Sequence, residues 1–451
     1  MLRFLLGLLL ATAVLGGTAF GGVMVAMGDS YPVDRVTSGA WPPPRDPPAE
    51  TTVVAVLLGS GGTVISDALL PYEAFARTSG FFVYTVAAER RPVPLSGGVQ
   101  VVPEHTFDTA PAPDVVVVPA IVQKEPELSD WLTGQASRGA YVLGVCAGSE
   151  VLADVGLLAG RRATSFWQRL GGLRDSHPET VWVAGERFVE DGRIVTTAGV
   201  TSGLAGALRL IELIAGAAEA TRVGREVAYR DWTPGTSTRI PERSLTIDLP
   251  YALNAAFPWL RPTVGVGLVD GAGEIDIASA FETYAGTSFA TRTVPVATRP
   301  TVTTRHGLLL IAGPASVDRL VIPGLDEPGV GQPGADLVVW AADRGIAITF
   351  PHARRQPGEF SFDPLLRDLA AHTDRATART TAKFTEYPAD HLLLTGSSWP
   401  WRPTVLGLLA VVVAVGAGLL PRLIARLRRR GTKEPAGDRG GHAGALAEIR
   451  Q

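Results

Sequence analysis

The chain has 451 residues, 46% of them hydrophobic and 19% charged, with a formal net charge of −3. That composition excludes a disordered chain and, lacking a basic excess, a whole-protein nucleic-acid footprint. The single cysteine, Cys146, excludes an internal disulfide and any structural zinc site built from cysteines.

Residues 4–28 carry no charge and are long enough to cross a bilayer. A cleaved signal peptide is the competing reading, but the apolar stretch exceeds a usual signal core and no Ala-x-Ala site ends it, so an uncleaved anchor is expected. Residues 29–50 are Pro-rich and read as a semi-rigid spacer. Near the other end, residues 403–421 carry no charge and open a second expected span, 403–424, preceded by Trp399 and Trp401 and ending in a cluster of Arg422, Arg426, Arg428, Arg429 and Arg430. Aromatic rings favour the membrane interface and an arginine cluster marks the cytoplasmic side. Arg3 gives the same sign at the first helix. The sequence therefore predicts a plasma-membrane protein with two spans, both termini cytoplasmic and the middle outside. The basic tail, 425–451, is expected to be cytoplasmic and disordered.

Between the spans, Thr51–Gly62 reads as a buried strand and a loop, 65–80 as a helix, and 81–89 as a strand. Asp114–Ile121 contains a wholly apolar strand of the kind buried in parallel sheets. Residues 129–139 read as a helix, and 140–160 as strand, sharp turn and helix. Strands alternating with helices predict an α/β fold with a parallel sheet. Residues 51–230 form a first domain, 231–261 a linker, and 262–390 a second, trimmed copy. Asp67 matches Asp276 and Glu73 matches Glu282, both 209 residues apart. Arg90 and Val93 fall on Arg299 and Val302 at the same offset, Asp114 and Pro119 face Asp318 and Pro323, and Cys146 faces His352. A fixed offset over such a length favours duplication. The stretch near 225 then faces the one near 383, so the copy lacks the segment between its turn and its last helix.

The informative stretch is Gly144–Gly160. A strand ends, Cys146 occupies a tight turn between Gly144 and Gly148, and a helix begins at once. A thiol placed there is a nucleophile elbow with cysteine for serine. The helix dipole and free amides are expected to lower its pKa and to hold an oxyanion. A buried structural cysteine is the plainer alternative.

Residues 144–168, with Gly192–Glu212, resemble the ThiJ/PfpI (DJ-1/PfpI) superfamily, and within it the sensor domain at the front of AraC-type regulators. The resemblance covers 51–230 and, more faintly, 262–390. It implies two tandem flavodoxin-like domains of the class I glutamine amidotransferase-like type. It also implies that Cys146 is the elbow cysteine, that Asp67 is the acid leaning on it, and that the Ala147 amide is an oxyanion donor. Two departures stand out. The regulator-like branch carries a histidine where this chain has Phe166, and Ala120 replaces a glycine near the second oxyanion donor. His105 and His177 are the remaining candidates for a base.

Two readings follow. One is a membrane-anchored extracytoplasmic binding or sensor module, a pseudoenzyme with catalytic-type residues Cys146 and Asp67 framed by Gly144, Ala147, Gly148, Ala120 and Phe166. The other is a cysteine-dependent hydrolase or glyoxalase-like enzyme using Cys146 and Asp67. Neither calls for a cofactor. No His/Asp/Glu grouping has metal-ligand spacing, His372, His391 and His442 standing apart, so no metal is expected. The bilayer is the expected partner, with a small-molecule ligand or a membrane protein left open. No helix-turn-helix follows the first domain, which argues against nucleic acid.

Overall fold

The computed structural model describes residues 2–31, 39–243, 248–286 and 288–431. Part of the spacer (32–38), the tail from 432 onward with His442, and the side chains of Arg3, Arg428, Arg429 and Arg430 lie outside the described residues, so the expectations placed on them are not addressed by the fold.

Helix α1 (Leu2–Gly28) runs into β1 (Thr52–Leu57), α2 (Ile65–Ala76) and β2 (Phe81–Ala87). A short arm, β3 (Val93–Pro94) and β4 (Gln100–Val102), precedes β5 (His105–Thr106) and β6 (Val115–Val118). Then come α3 (Pro126–Ser137), β7 (Tyr141–Gly144) and α4 (Gly148–Asp154). A small ribbon of β8 (Arg162–Ala163) and β9 (Val181–Trp182) brackets α5 (Leu170–Ser176). Strands β10 (Phe188–Asp191) and β11 (Ile194–Thr197) lead to α6 (Ser202–Ala215) and α7 (Ala217–Glu226). The sheet order is β10-β11-β7-β6-β1-β2-β5, parallel except for the edge strand β10. Its central strands are runs of buried valine because helices cover both faces.

The stretch expected as a linker contains a helix, α8 (Leu249–Ala256). Beyond it lie β12 (Thr263–Gly267), α9 (Glu274–Phe281), β13 (Arg292–Val296), β14 (Thr301–Thr303), β15 (Leu309–Ile311) and β16 (Arg319–Val321). Helix α10 (Ala335–Ala342), β17 (Ala347–Thr349), α11 (Phe362–His372) and α12 (Arg375–Phe384) complete this part. Its sheet runs β13-β12-β16-β17, all parallel. The same order, β2-β1-β6-β7, lies at the heart of the first sheet.

Helix α2 packs against both α6 and α9, which is why its residues 65–75 are buried on every side. The arms join in one antiparallel sheet, β14-β15-β4-β3, in which Val101 pairs with Leu310. The last helix, α13 (Trp401–Gly431), packs along α1. A Cβ at Gly7 would fall 2.3 Å from the carbonyl oxygen of Gly418, so the two backbones touch. Gly22, near the C-terminal end of α1, and Gly407, near the N-terminal end of α13, both approach the loop around Phe257. The two apolar helices are therefore antiparallel. Both are long and apolar enough to span a membrane, and α8 packs against both.

Candidate functional site

Cys146 sits between β7 and α4 with a φ of 56°, a left-handed conformation that strains a residue bearing a Cβ. The surroundings over-determine it. Its carbonyl accepts the hydroxyls of Ser149 (2.9 Å) and Ser165 (3.0 Å). A Cβ on Gly148 would lie 1.9 Å from the Val118 carbonyl oxygen, so the turn closes only with glycine there. A Cβ on Gly144 would meet Leu152 at 2.7 Å. The glycines at 203 and 206 serve the same packing, letting α6 lie directly on Val145 and Thr197.

The backbone amides of Ala147 and Val200 lie near the sulfur and favour its thiolate. The Val200 amide was not anticipated; it lies on the turn before α6, itself strained at φ 37°. Asp67 sits fully buried on the first turn of α2, its Oδ2 accepting the Ala120 amide at 3.2 Å. Ala120 thus serves the acid and is not a free oxyanion donor. Oδ1 of Asp67 is buried without a hydrogen-bond partner of ordinary geometry, and the thiol is close enough for each group to shift the other's ionisation. Burial pushes the Asp67 carboxyl well above the usual carboxylate range, the charge of Glu282 adds to that, and the Ala120 amide opposes it.

The expected acidic thiol is not found. Burial pushes the Cys146 thiol well above its ordinary value, with the charges of Asp67 and Glu386 adding to that, and the two amides oppose it only in part. Helix α4 is seven residues long, too short for its dipole to outweigh desolvation.

Neither candidate histidine meets the sulfur. His105 is buried at the sheet edge, on the Arg45 carbonyl and edge-on to Tyr84. His177 is engaged by Asp154 and Glu179. Phe166 lies against Gly199, where a Cβ would come within 2.6 Å of its ring, and edge-on to Trp167.

Two groups remote in sequence complete the site. Glu386, just after α12, places its carboxylate on the Gly199 amide at 2.8 Å and the Ser202 hydroxyl at 3.3 Å. Burial pushes it up to about 7. Tyr31, three residues past α1, hydrogen-bonds Ser96, and its ring lies over Gly62. Burial raises its phenol, and the charges of Glu282, Asp67 and Cys146 raise it further. No spacing rule pointed to either residue.

In the second sheet, His352 follows β17 as Cys146 follows β7. Its Nδ1 accepts the Gly324 amide at 3.0 Å, and Nε2 lies 3.5 Å from Asp276. Several groups expected to stand apart are engaged, His391 with Asp363 and His372 with Asp368. The fold also gathers Glu73, Glu274 and His306 within metal-binding reach of one another. The Arg77 and Arg305 guanidiniums already occupy Glu73, and Thr304 and His306 occupy Glu274, which makes a charge-paired seam.

Residues 53–213 match the model of the DJ-1/PfpI family. Isonitrile hydratase of Pseudomonas putida is 32% identical over 170 residues, covering 36% of this chain and 73% of that protein. The HTH-type transcriptional regulator CdhR of Pseudomonas aeruginosa is 31% identical over 147 residues, covering 32% of this chain and 44% of the regulator. The crystal structure of a ThiJ/PfpI family protein from Pseudomonas syringae aligns with 27% identity and a TM-score of 0.38, over 42% of this chain and 81% of that one. With an elbow cysteine, a facing acid and a relative of this similarity, the chain belongs to the DJ-1/PfpI family.

Proposed function

We propose that this protein is a membrane-anchored binding or sensing module that captures a small electrophilic ligand at Cys146. Helices α1 and α13 sit in the bilayer, both chain ends are cytoplasmic, and the α/β part lies outside. The observation that carries the reading is the elbow thiol of Cys146 beside the buried Asp67, with Phe166 where the family's regulators have a histidine. A thiol and a carboxyl whose ionisation burial opposes suit addition to an uncharged electrophile. They do not suit attack on an amide whose leaving group needs a proton carrier. The antiparallel helix pair supports placing both ends on one side, and the 209-residue offset with the shared strand order supports reading 262–390 as a trimmed repeat.

The kinship with isonitrile hydratase favours a second reading, turnover of a small carbon–nitrogen electrophile by Cys146 and Asp67. The test is to incubate the full chain in nanodiscs with an alkyl isonitrile. A stoichiometric adduct on Cys146 without sustained formamide release is expected. Multiple turnovers abolished by Cys146→Ser would replace capture with catalysis.

A further inference from the structure

Glu386 lies far outside the family-matched stretch 53–213, yet it is built into the site. It is 5% exposed and adopts a left-handed φ of 52°. Its segment is tied down: the Thr201 amide and hydroxyl both donate to the Thr385 carbonyl, at 3.2 and 3.1 Å. The amides of Gly199 and Val200 are consecutive. The first holds the Glu386 carboxylate at 2.8 Å and the second lies near the Cys146 sulfur. A Cβ on Gly199 would fall 2.6 Å from Phe166 and 3.5 Å from the Glu386 carboxyl carbon, so ring and carboxyl flank one glycine. Arg187 and Arg243 favour the ionised carboxylate, as do the Gly199 amide and the Ser202 hydroxyl. Glu386 in turn acts on Asp67, Cys146 and the Tyr229 phenol.

We infer that Glu386 is the proton acceptor for the Cys146 thiol, standing in from the second sheet's side for the histidine that Phe166 replaces. The inference rests on the reading that Cys146 meets the ligand. As sulfur bonds an electrophilic carbon, the S–H proton passes to the Glu386 carboxylate, directly or over one water. With iodoacetamide as probe, the S–C bond forms, the C–I bond breaks and iodide leaves.

A carboxylate that only repels and one that accepts a proton predict opposite signs. The test is the iodoacetamide labelling rate of the full chain in nanodiscs from pH 5.5 to 9, read by intact mass. The wild-type rate should rise through an inflection near 7, where Glu386 ionises. Glu386→Gln should lose that inflection and label about tenfold more slowly at pH 8. Equal or faster labelling by Glu386→Gln overturns the inference, because it shows a carboxylate acting only by repulsion. Ser202→Ala keeps the carboxyl but removes a hydrogen bond to its ionised form, so the inflection should move upward; an unmoved inflection also overturns it. A wild type that labels in urea but at no pH when folded would instead sink the reading of Cys146 itself.

Discussion

Glu73 and Glu282 reach across the seam between the two sheets in opposite directions, each to the second residue of the helix it faces. Glu73 accepts the Ile275 amide of α9 at 2.6 Å, and Glu282 accepts the Ser66 hydroxyl of α2 at 3.1 Å. The donors stand 209 residues apart in sequence, as do the acceptors and the paired arm residues Val101 and Leu310. The contact between α2 and α9 and the pairing of the two arms thus share one sequence offset.

That relationship makes Glu73 a structural residue. It is buried, paired to Arg77 at 2.6 Å, and holds a buried amide. Glu73→Ala leaves that amide and two guanidiniums short of a partner. The expected cost is about 3 kcal/mol, measured by urea unfolding of the full chain in micelles. A loss under about 0.5 kcal/mol would show that the clasp does not hold the seam.

Glu282 should behave oppositely. Burial pushes its carboxyl up to about 7 despite the Ser66 hydrogen bond. A raised folded pKa means that its favourable contribution is complete below the unfolded value near 4.5 and disappears as pH rises through about 7. Glu282→Gln cannot ionise, so it should match wild type at pH 4.5 and exceed it at pH 8 by on the order of 2 kcal/mol. Parallel unfolding curves at the two pH values decide it; a variant less stable at pH 8 refutes the assigned sign.

How much of this could be read from sequence depends on the range of the interaction. The glycines at 144 and 148 and the valine runs are local signals, and they placed the elbow and the parallel sheet. The acid facing the thiol came only from the family resemblance, since nothing local to Asp67 says that its helix will pack beside Cys146. The thiol's ionisation was not legible: desolvation is set by everything packed around Cys146, including Glu386, 240 residues away. Glu386 and Tyr31 sit in stretches with no motif, and only the tertiary fold brings them near enough to couple electrostatically to Cys146. The expected linker hid α8 because eight residues with a proline at the start give a weak periodic signal.

Tyr31 links the first apolar helix to the site. Ser30 accepts the Gly97 amide at 2.8 Å, and Asp29 pairs with Arg261, so the chain leaving α1 is pinned on both sides. The Tyr31 ring then lies against Gly62, near enough to Glu282, Asp67 and Cys146 for their charges to raise its phenol. Tyr31→Ala should raise iodoacetamide labelling of Cys146 about tenfold, and Tyr31→Phe, which keeps the ring, much less. Equal rates in all three proteins would show that ligands enter by another path.

The last prediction separates the roles of the two acids. Asp67 is buried and bonded to the Ala120 amide, and burial opposes its ionisation. Asparagine has the shape of the protonated acid and can also accept the amide. Between pH 6 and 7, Asp67→Asn should therefore label within about threefold of wild type. Once ionised, the wild-type Asp67 opposes the thiolate by its charge, one of the causes that raise the Cys146 pKa. The variant lacks that repulsion, so its rate relative to wild type should rise with pH while it retains the inflection assigned to Glu386. If instead Asp67→Asn labels far more slowly at every pH, Asp67 is the group that accepts the thiol proton. Glu386 would then be left to shape the loop at Gly199 and Val200.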